Sequence, residues 1–273
     1  MLRRRAQSYL LVAALGVAPA LGCRAKGPAP GAIAFQVSAR HPSGDPAAGS
    51  GASAAGRAHT APIVYADSFV AQGRDTVFLR RVRLVLMELA IAPSVANECE
   101  EEEGEDNPPC VEFQEDPRVL ELPLGRGTVL QSAKPAPATG YNLFQLIVHT
   151  PDPDKDGPLL RANPDLSGSS VRVEGVVSHG GTRHDFVYTT PFNEQEEIAL
   201  DPAVVVAPRD TLRVTLRIDV GSWFTSGDHR ELLDPASAGP GGPNEHTVKD
   251  NIRTSLKVFR DSNRDGLDDD NER

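Results

Sequence analysis

Aromatic side chains are scarce: one Trp, four Tyr and nine Phe occur in 273 residues, against 24 Gly and 23 Pro. That balance argues against long helices and for many turns between short elements, so a β-rich fold is expected. Catalytic signatures are missing as well. The chain has no GxSxG, no HExxH and no phosphate-cradling loop, and "HRELLDP" (His229 to Pro235) lacks the second histidine of a zinc helix. It reads as a protein without enzymatic activity. Basic residues are in deficit. The net charge is −10, and it becomes −13 once residues 1–22, which hold three arginines and no acids, are removed. Phosphates would be repelled from most of such a surface, which excludes nucleic acid as a partner and suits divalent cations or cationic partners.

The first residues supply an address. "MLRRRAQSYLLVAALGVAPALGC" has a basic start at Arg3 to Arg5, an apolar run from Tyr9 to Ala18, and then small residues. This is the layout of a secretory signal, and the run is too short to span a bilayer. Ala20, Leu21, Gly22 and Cys23 resemble the bacterial lipobox, with Ala20 where Leu is usual. The resemblance implies cleavage after residue 22 and lipid modification, palmitate included, of Cys23. Such an anchor holds a protein on a membrane without crossing it, each buried methylene contributing about 0.8 kcal/mol. Arg24 after the cysteine resembles the signal for outer-membrane sorting. The expected location is the cell envelope, on the periplasmic or surface face of the outer membrane.

Residues 23–60 are rich in Gly, Ala, Pro and Ser and read as a flexible tether. Flexible-chain scaling gives it a reach of about 35 Å. Its one apolar patch, "AIAFQVS" (Ala32 to Ser38), is either part of the tether or a first strand. Residues 61–235 form the expected body. "TLRVTLRIDV" alternates, with Leu212, Val214, Leu216, Ile218 and Val220 on a buried face and Arg213, Thr215, Arg217 and Asp219 on a wet one. "VRVEGVVSHGGTRHDFVYTT" places Gly180 and Gly181 between two alternating runs, a hairpin in which Val177 faces His184. "TVFLRRVRLVLMELAIAP" (Thr76 to Pro93) reads as one strand or two joined by a bend, with helix as the alternative. Further strands are expected in "GYNLFQLIVHT", "RVLELPL", "EIALD" and "AVVVA". Without βαβ alternation or a repeat of fixed period, these elements predict an all-β fold, an antiparallel β-sandwich. The turn "PATGYNLFQL" (Pro137 to Leu146) resembles the "P-A-G-x-Y" turn of bacterial lipoprotein β-sandwich domains of unknown function. That resemblance implies a sandwich of immunoglobulin or prealbumin type and assigns no site.

Cys99 and Cys110 bracket a loop in which seven of the nine residues from Glu98 to Asp106 are acidic. In an oxidising compartment the two cysteines are expected to form a disulfide that pins the loop. The loop is either solvated or a docking surface for cations or a basic partner.

Residues 236–273 are expected to form a helix and a calcium-type loop. Val248, Ile252, Leu256 and Phe259 fall on one helical face, with Asn244 as the cap, and the helix is expected to run directly into "DSNRDGLDDDNE". In this segment Asp261, Asn263, Asp265, the Leu267 carbonyl, Asp269 and Glu272 occupy the oxygen-ligand positions of a calcium loop, with Gly266 at the sharp turn. The pattern resembles EF-hand loops and, more closely, the "DxDxDGxxD" calcium repeats of secreted proteins such as thrombospondin type 3 repeats. It departs from the EF-hand at Asp268, where an apolar residue is usual. Calcium is therefore the expected cofactor, with a solvated acidic tail as the alternative. A partial match, "DPDKDG", aligns Asp152, Asp154, Asp156 and Gly157 but meets Asn163 where a bidentate acid is needed. His179 and His184, diagonal neighbours on the hairpin, are either polar residues at its tip or half of a copper or zinc site. The functional expectation is a structural or scaffold lipoprotein. The alternative is a module binding a glycan, an envelope partner, copper or zinc. Trp223 separates these classes: exposed, it could stack on a sugar; buried, it closes the core.

Overall fold

The computed structural model describes residues 30–40, 68–70, 76–94, 110–125, 128–227 and 231–269. The signal segment, Cys23, the acidic loop with Cys99, and Glu272 lie outside them. Twelve strands are described: β1 (Gly31–Arg40), β2 (Ser68–Val70), β3 (Thr76–Pro93), β4 (Val111–Gln114), β5 (Arg118–Glu121), β6 (Val129–Ala136), β7 (Gly140–Val148), β8 (Val171–His179), β9 (Thr182–Thr190), β10 (Glu194–Val205), β11 (Thr211–Asp219) and β12 (Leu256–Arg260). Two helices join them, α1 (Gly157–Ala162) and α2 (Glu245–Thr254). One sheet runs β12-β11-β1-β6; the other runs β10-β7-β3-β8-β9, with β2, β4 and β5 also paired to β3. The two sheets make an all-β, sandwich-like fold.

β3 is a single 18-residue strand. Its register shifts between Leu79 and Arg81 and between Met87 and Ala90, and Glu88 takes a left-handed φ of 53° at the second shift. These bulges absorb the bend expected from sequence and let one strand serve several neighbours. "EIALD" and "AVVVA" likewise fuse into one strand, β10, whose pairing to β7 shifts between Ala199 and Val204. The β8–β9 hairpin has the expected register, Val177 opposite His184. Gly180 and Gly181 sit at φ 55° and 84°, as a two-residue turn matched to strand twist requires.

Residues 31–40 do not belong to a tether. β1 is an interior strand, parallel to β11 and antiparallel to β6, the parallel pair being the one such contact among the described strands. Ile33, Phe35 and Val37 are buried in the core. A ten-residue strand gains ladder bonds on both sides and buries one apolar face, which offsets the ordering entropy that its Gly/Ala-rich surroundings would otherwise leave uncompensated. Phe35 stacks on Phe113 of β4 at 5.3 Å and on Phe144 of β7 at 5.6 Å, joining the two sheets. At another point in the core, the rings of Phe186 and Tyr188 meet Phe224 edge-on. Burial pushes the Tyr188 hydroxyl well above the usual range.

The expected terminal helix is shorter than its apolar spacing suggests. α2 ends at Thr254, and Leu256–Arg260 instead pair antiparallel with β11. Leu256 and Val258 then face inward opposite Ile218 and Leu216, whereas Phe259 faces outward opposite Thr215. The open edge of β11 offered ladder hydrogen bonds that one more helical turn could not match. Val248, Asn251 and Ile252 are the buried residues of α2. The Asn251 amide donates to the carbonyls of Trp223 and Thr225, at 3.1 and 2.8 Å. Asn244 stands at the N-cap position, but its side chain donates to Ser237 Oγ rather than capping the helix.

Trp223 is fully buried and its indole N–H donates to Ser255 Oγ at 2.9 Å. It closes the core and cannot serve as an exposed sugar platform. Acrylamide should therefore quench its fluorescence weakly in the native protein and several-fold more strongly after unfolding in denaturant. Equal Stern–Volmer slopes in the two states would contradict this packing.

Candidate metal centre

The face of β11 expected to be wet is partly roofed. Thr215 on that face is 0% exposed, and on the same face of the neighbouring strand Gln36 and Ser38 are each 3% exposed. The roof is the loop that follows β12. Asp261 enters it with its N–H donating to the Arg213 carbonyl at 3.2 Å and its carboxylate fully buried. Oδ2 of Asp261 accepts from the Thr215 hydroxyl at 3.0 Å and from the Gly266 N–H at 3.2 Å. Oδ1 is buried with no hydrogen-bond partner among the described residues. Gly266 has φ 78°, and a Cβ there would stand 3.4 Å from Ser38 Cβ, so glycine lets the loop turn sharply while lying on β1.

The remaining expected ligands are arranged differently. Asn263 and Asp265 are exposed and bind one another: the Asn263 amide donates to Asp265 Oδ2 at 2.9 Å, and Asn263 Oδ1 accepts from the Asp265 N–H at 3.1 Å. Asp265 Oδ1 accepts from the Leu267 N–H at 2.8 Å. Asp269 Oδ2 accepts from the Ser262 N–H at 2.9 Å and faces Arg260 Nε at 3.6 Å. Among the described residues no three His, Cys, Asp or Glu side chains gather closely enough to hold a metal. The loop therefore folds on its own hydrogen bonds, with Asp261 as the inward-pointing acid. A hard cation fits the chemistry at that point, because a fully buried carboxylate oxygen lacking a donor is costly unless a charge or donor meets it. Thr215, Gln36 and Ser38 could not have been assigned to this centre from sequence, since nothing in the β1 or β11 pattern says which segment covers their outer face.

In "DPDKDG" the carboxylates are used locally: Asp152 Oδ1 accepts from the Asp154 N–H at 2.8 Å, and Asp156 Oδ2 meets His149 Nε2 at 2.7 Å and the Asp152 N–H at 2.8 Å. Burial alone would raise the Asp156 carboxyl, but these two hydrogen bonds together with the charges of His149 and Lys155 outweigh it and hold the group below the usual range. The segment is a turn that starts α1, whose C-cap is Asn163. His184 is exposed, and the side chain of His179 lies outside the described residues. Cys110 immediately precedes β4, and Cys99 lies outside the described residues.

A groove of about 540 Å³ opens between the edge strands β10 and β12, with Leu267 and Asp268 of the loop on its wall. On its floor the Arg217 guanidinium lies 4.9 Å over the Phe259 ring. Among the described residues no helix is long and apolar enough to cross a membrane. Comparison with family models, curated proteins and solved structures finds no match for this chain.

Proposed function

We propose that this chain is an exported, lipid-anchored envelope protein with a structural or scaffold role and no catalysis, and that its C-terminal loop holds a structural calcium ion. The anchor is the acylated Cys23, the partner it implies is a lipid membrane, and a Cys99–Cys110 disulfide pins the acidic loop. The observation that carries the calcium reading is the Asp261 carboxylate, fully buried at the first ligand position of the loop with Oδ1 unpartnered among the described residues. Calcium there would neutralise the buried charge, with Asn263, Asp265, the Leu267 carbonyl and Asp269 exchanging their local hydrogen bonds for the ion, and with Glu272, which lies outside the described residues, at the twelfth position of the sequence pattern. A structural rather than a signalling ion is supported by the direct bond of the loop to β11 through Thr215, and among the described residues no helix pair flanks the loop.

A second reading, a module for an envelope partner or glycan, draws support from the groove between β10 and β12. With Trp223 buried, the aromatic ring available there is that of Phe259, already stacked under Arg217.

The test has two arms on the full chain. Metabolic palmitate labelling should mark the wild type and not Cys23→Ala, and the variant should leave the membrane fraction; identical fractionation of the two would remove the anchor. Calcium at about 100 times its dissociation constant should add about 2.7 kcal/mol of stability. For a body of this size that is a rise of about 5–10 °C in thermal midpoint over chelator. An unchanged midpoint together with no calorimetric heat at millimolar calcium would remove the metal.

A further inference from the structure

Three buried oxygens without hydrogen-bond partners among the described residues belong to side chains under one loop: Asp261 Oδ1, Gln36 Oε1 and Ser38 Oγ. The sheet register accounts for their meeting. Gln36 is paired with Thr215 across the parallel β1–β11 ladder, and Ser38 lies two residues further on the same face. The Thr215 hydroxyl donates to Asp261, and Gly266, whose N–H holds the same carboxylate, lies against Ser38, with Ser38 Oγ 3.5 Å from where a glycine Cβ would stand. All three orphaned side chains are at least nine-tenths buried, at 0%, 3% and 3% exposure. A lone buried polar atom without a partner is an ordinary cost of folding, whereas buried acceptor oxygens from two distant chain segments, linked through Thr215 and Gly266, share a common need for a positive centre.

We propose that Gln36 and Ser38 of β1 are ligands of the same cation as Asp261, so that the metal is held between the two ends of the folded chain rather than by the C-terminal loop alone. This rests on the calcium reading above and extends it. Uncharged amide and hydroxyl oxygens are ordinary ligands for calcium, which takes six to eight oxygens in flexible geometry, and they dilute the charge of a site that a purely acidic loop would overfill. The loop carboxylates facing solvent complete the shell from outside. The placement gives the ion a mechanical role. β1 is the described strand nearest in sequence to the anchoring cysteine, and a cation shared with Asp261 would tie it to the terminal segment as well as to β11 and β6.

The experiment uses the full chain with calcium alone as the probe, and reads affinity by calorimetry and thermal midpoint with and without chelator. Gln36→Met keeps the length of the side chain and removes the oxygen; Ser38→Ala removes the hydroxyl with little change in volume. Gln36→Met is expected to weaken calcium binding by about tenfold or more. In chelator it should melt at the wild-type temperature or above it, because an unsatisfied polar atom has been removed. Ser38→Ala should show the same inversion at smaller amplitude, and it keeps the test open if Gln36→Met does not fold. If the wild type binds calcium and both variants bind as tightly, the β1 ligands are wrong and the loop site stands. If the wild type itself gives neither heat nor a midpoint shift, the calcium reading fails and this inference goes with it.

Discussion

Replacing Phe35 by alanine is expected to destabilise the body by about 3–5 kcal/mol, the range for truncating a fully buried phenylalanine. The site cannot collapse easily. Phe35 is 1% exposed and its ring is shared between Phe113 and Phe144, which contact each other at 6.4 Å, so its loss removes the common partner of a three-ring stack that joins the two sheets. The backbone around it is held on both sides by β11 and β6, which prevents the strand from shifting to fill the void. For a body of this size the thermal midpoint should fall by roughly 10 °C or more. The comparison that gives the result meaning is with a tether: a residue in a flexible linker would change the midpoint by less than the error of measurement. A two-state denaturant titration of Phe35→Ala that overlays the wild type would place residues 31–40 outside the core.

That contrast also shows where sequence reading succeeded and where it stopped. β11 was legible because its period-two alternation is uninterrupted over nine residues, and Leu212, Val214, Leu216 and Ile218 are buried as the pattern requires. The β8–β9 hairpin was legible because two adjacent glycines leave little choice of turn. β1 has the same alternation, but only over the three apolar positions Ile33, Phe35 and Val37, embedded in Gly, Ala and Pro, and its value comes from a partner, β11, some 180 residues away in sequence. Local composition contains no trace of that partner. The helix over-extension has the opposite origin. Leu256 and Phe259 fit a helical face and also fit a strand on opposite sides of it, and only the free edge of β11 decides between the two. At the candidate metal centre the Asp261 to Glu272 spacing was visible, whereas the inward turn of Asp261 alone, the outward pairing of Asn263 with Asp265, and the cover over Thr215 depend on how the loop lies on the sheet.

A second large effect is expected on the outer face of the other sheet. Arg83 of β3 and Arg172 of β8 are directly opposite one another, an arrangement of like charges that is unfavourable unless acids intervene. The turn at Pro164–Leu166 supplies one: Asp165 accepts from both terminal nitrogens of Arg83 and lies 3.1 Å from Arg172 Nε. Glu174 supplies the other, 2.9 Å from Arg172 and 3.6 Å from Arg83. Arg83 is 3% exposed, so Asp165→Ala would leave a buried guanidinium with its nearest acid gone. Breaking a fully buried pair in this way costs about 3–5 kcal/mol, and the value here should be nearer about 2–3 kcal/mol. The discount reflects Glu174, which remains, and Asp165 itself, which is 38% exposed and partly screened by water. Arg83→Met should cost less than Asp165→Ala, because it removes the desolvated charge together with the bond. The pH dependence has a definite sign. The hydrogen bond from Arg83 holds the Asp165 carboxyl below the usual carboxylate range, so its contribution is complete above the unfolded value, about 3.9, and is lost as pH falls through the folded one. The stability gap between wild type and Asp165→Asn should therefore be flat from pH 7 to about pH 5 and close below about pH 4. A gap that stays constant down to pH 2 would mean that Asp165 does not carry the charge that neutralises Arg83.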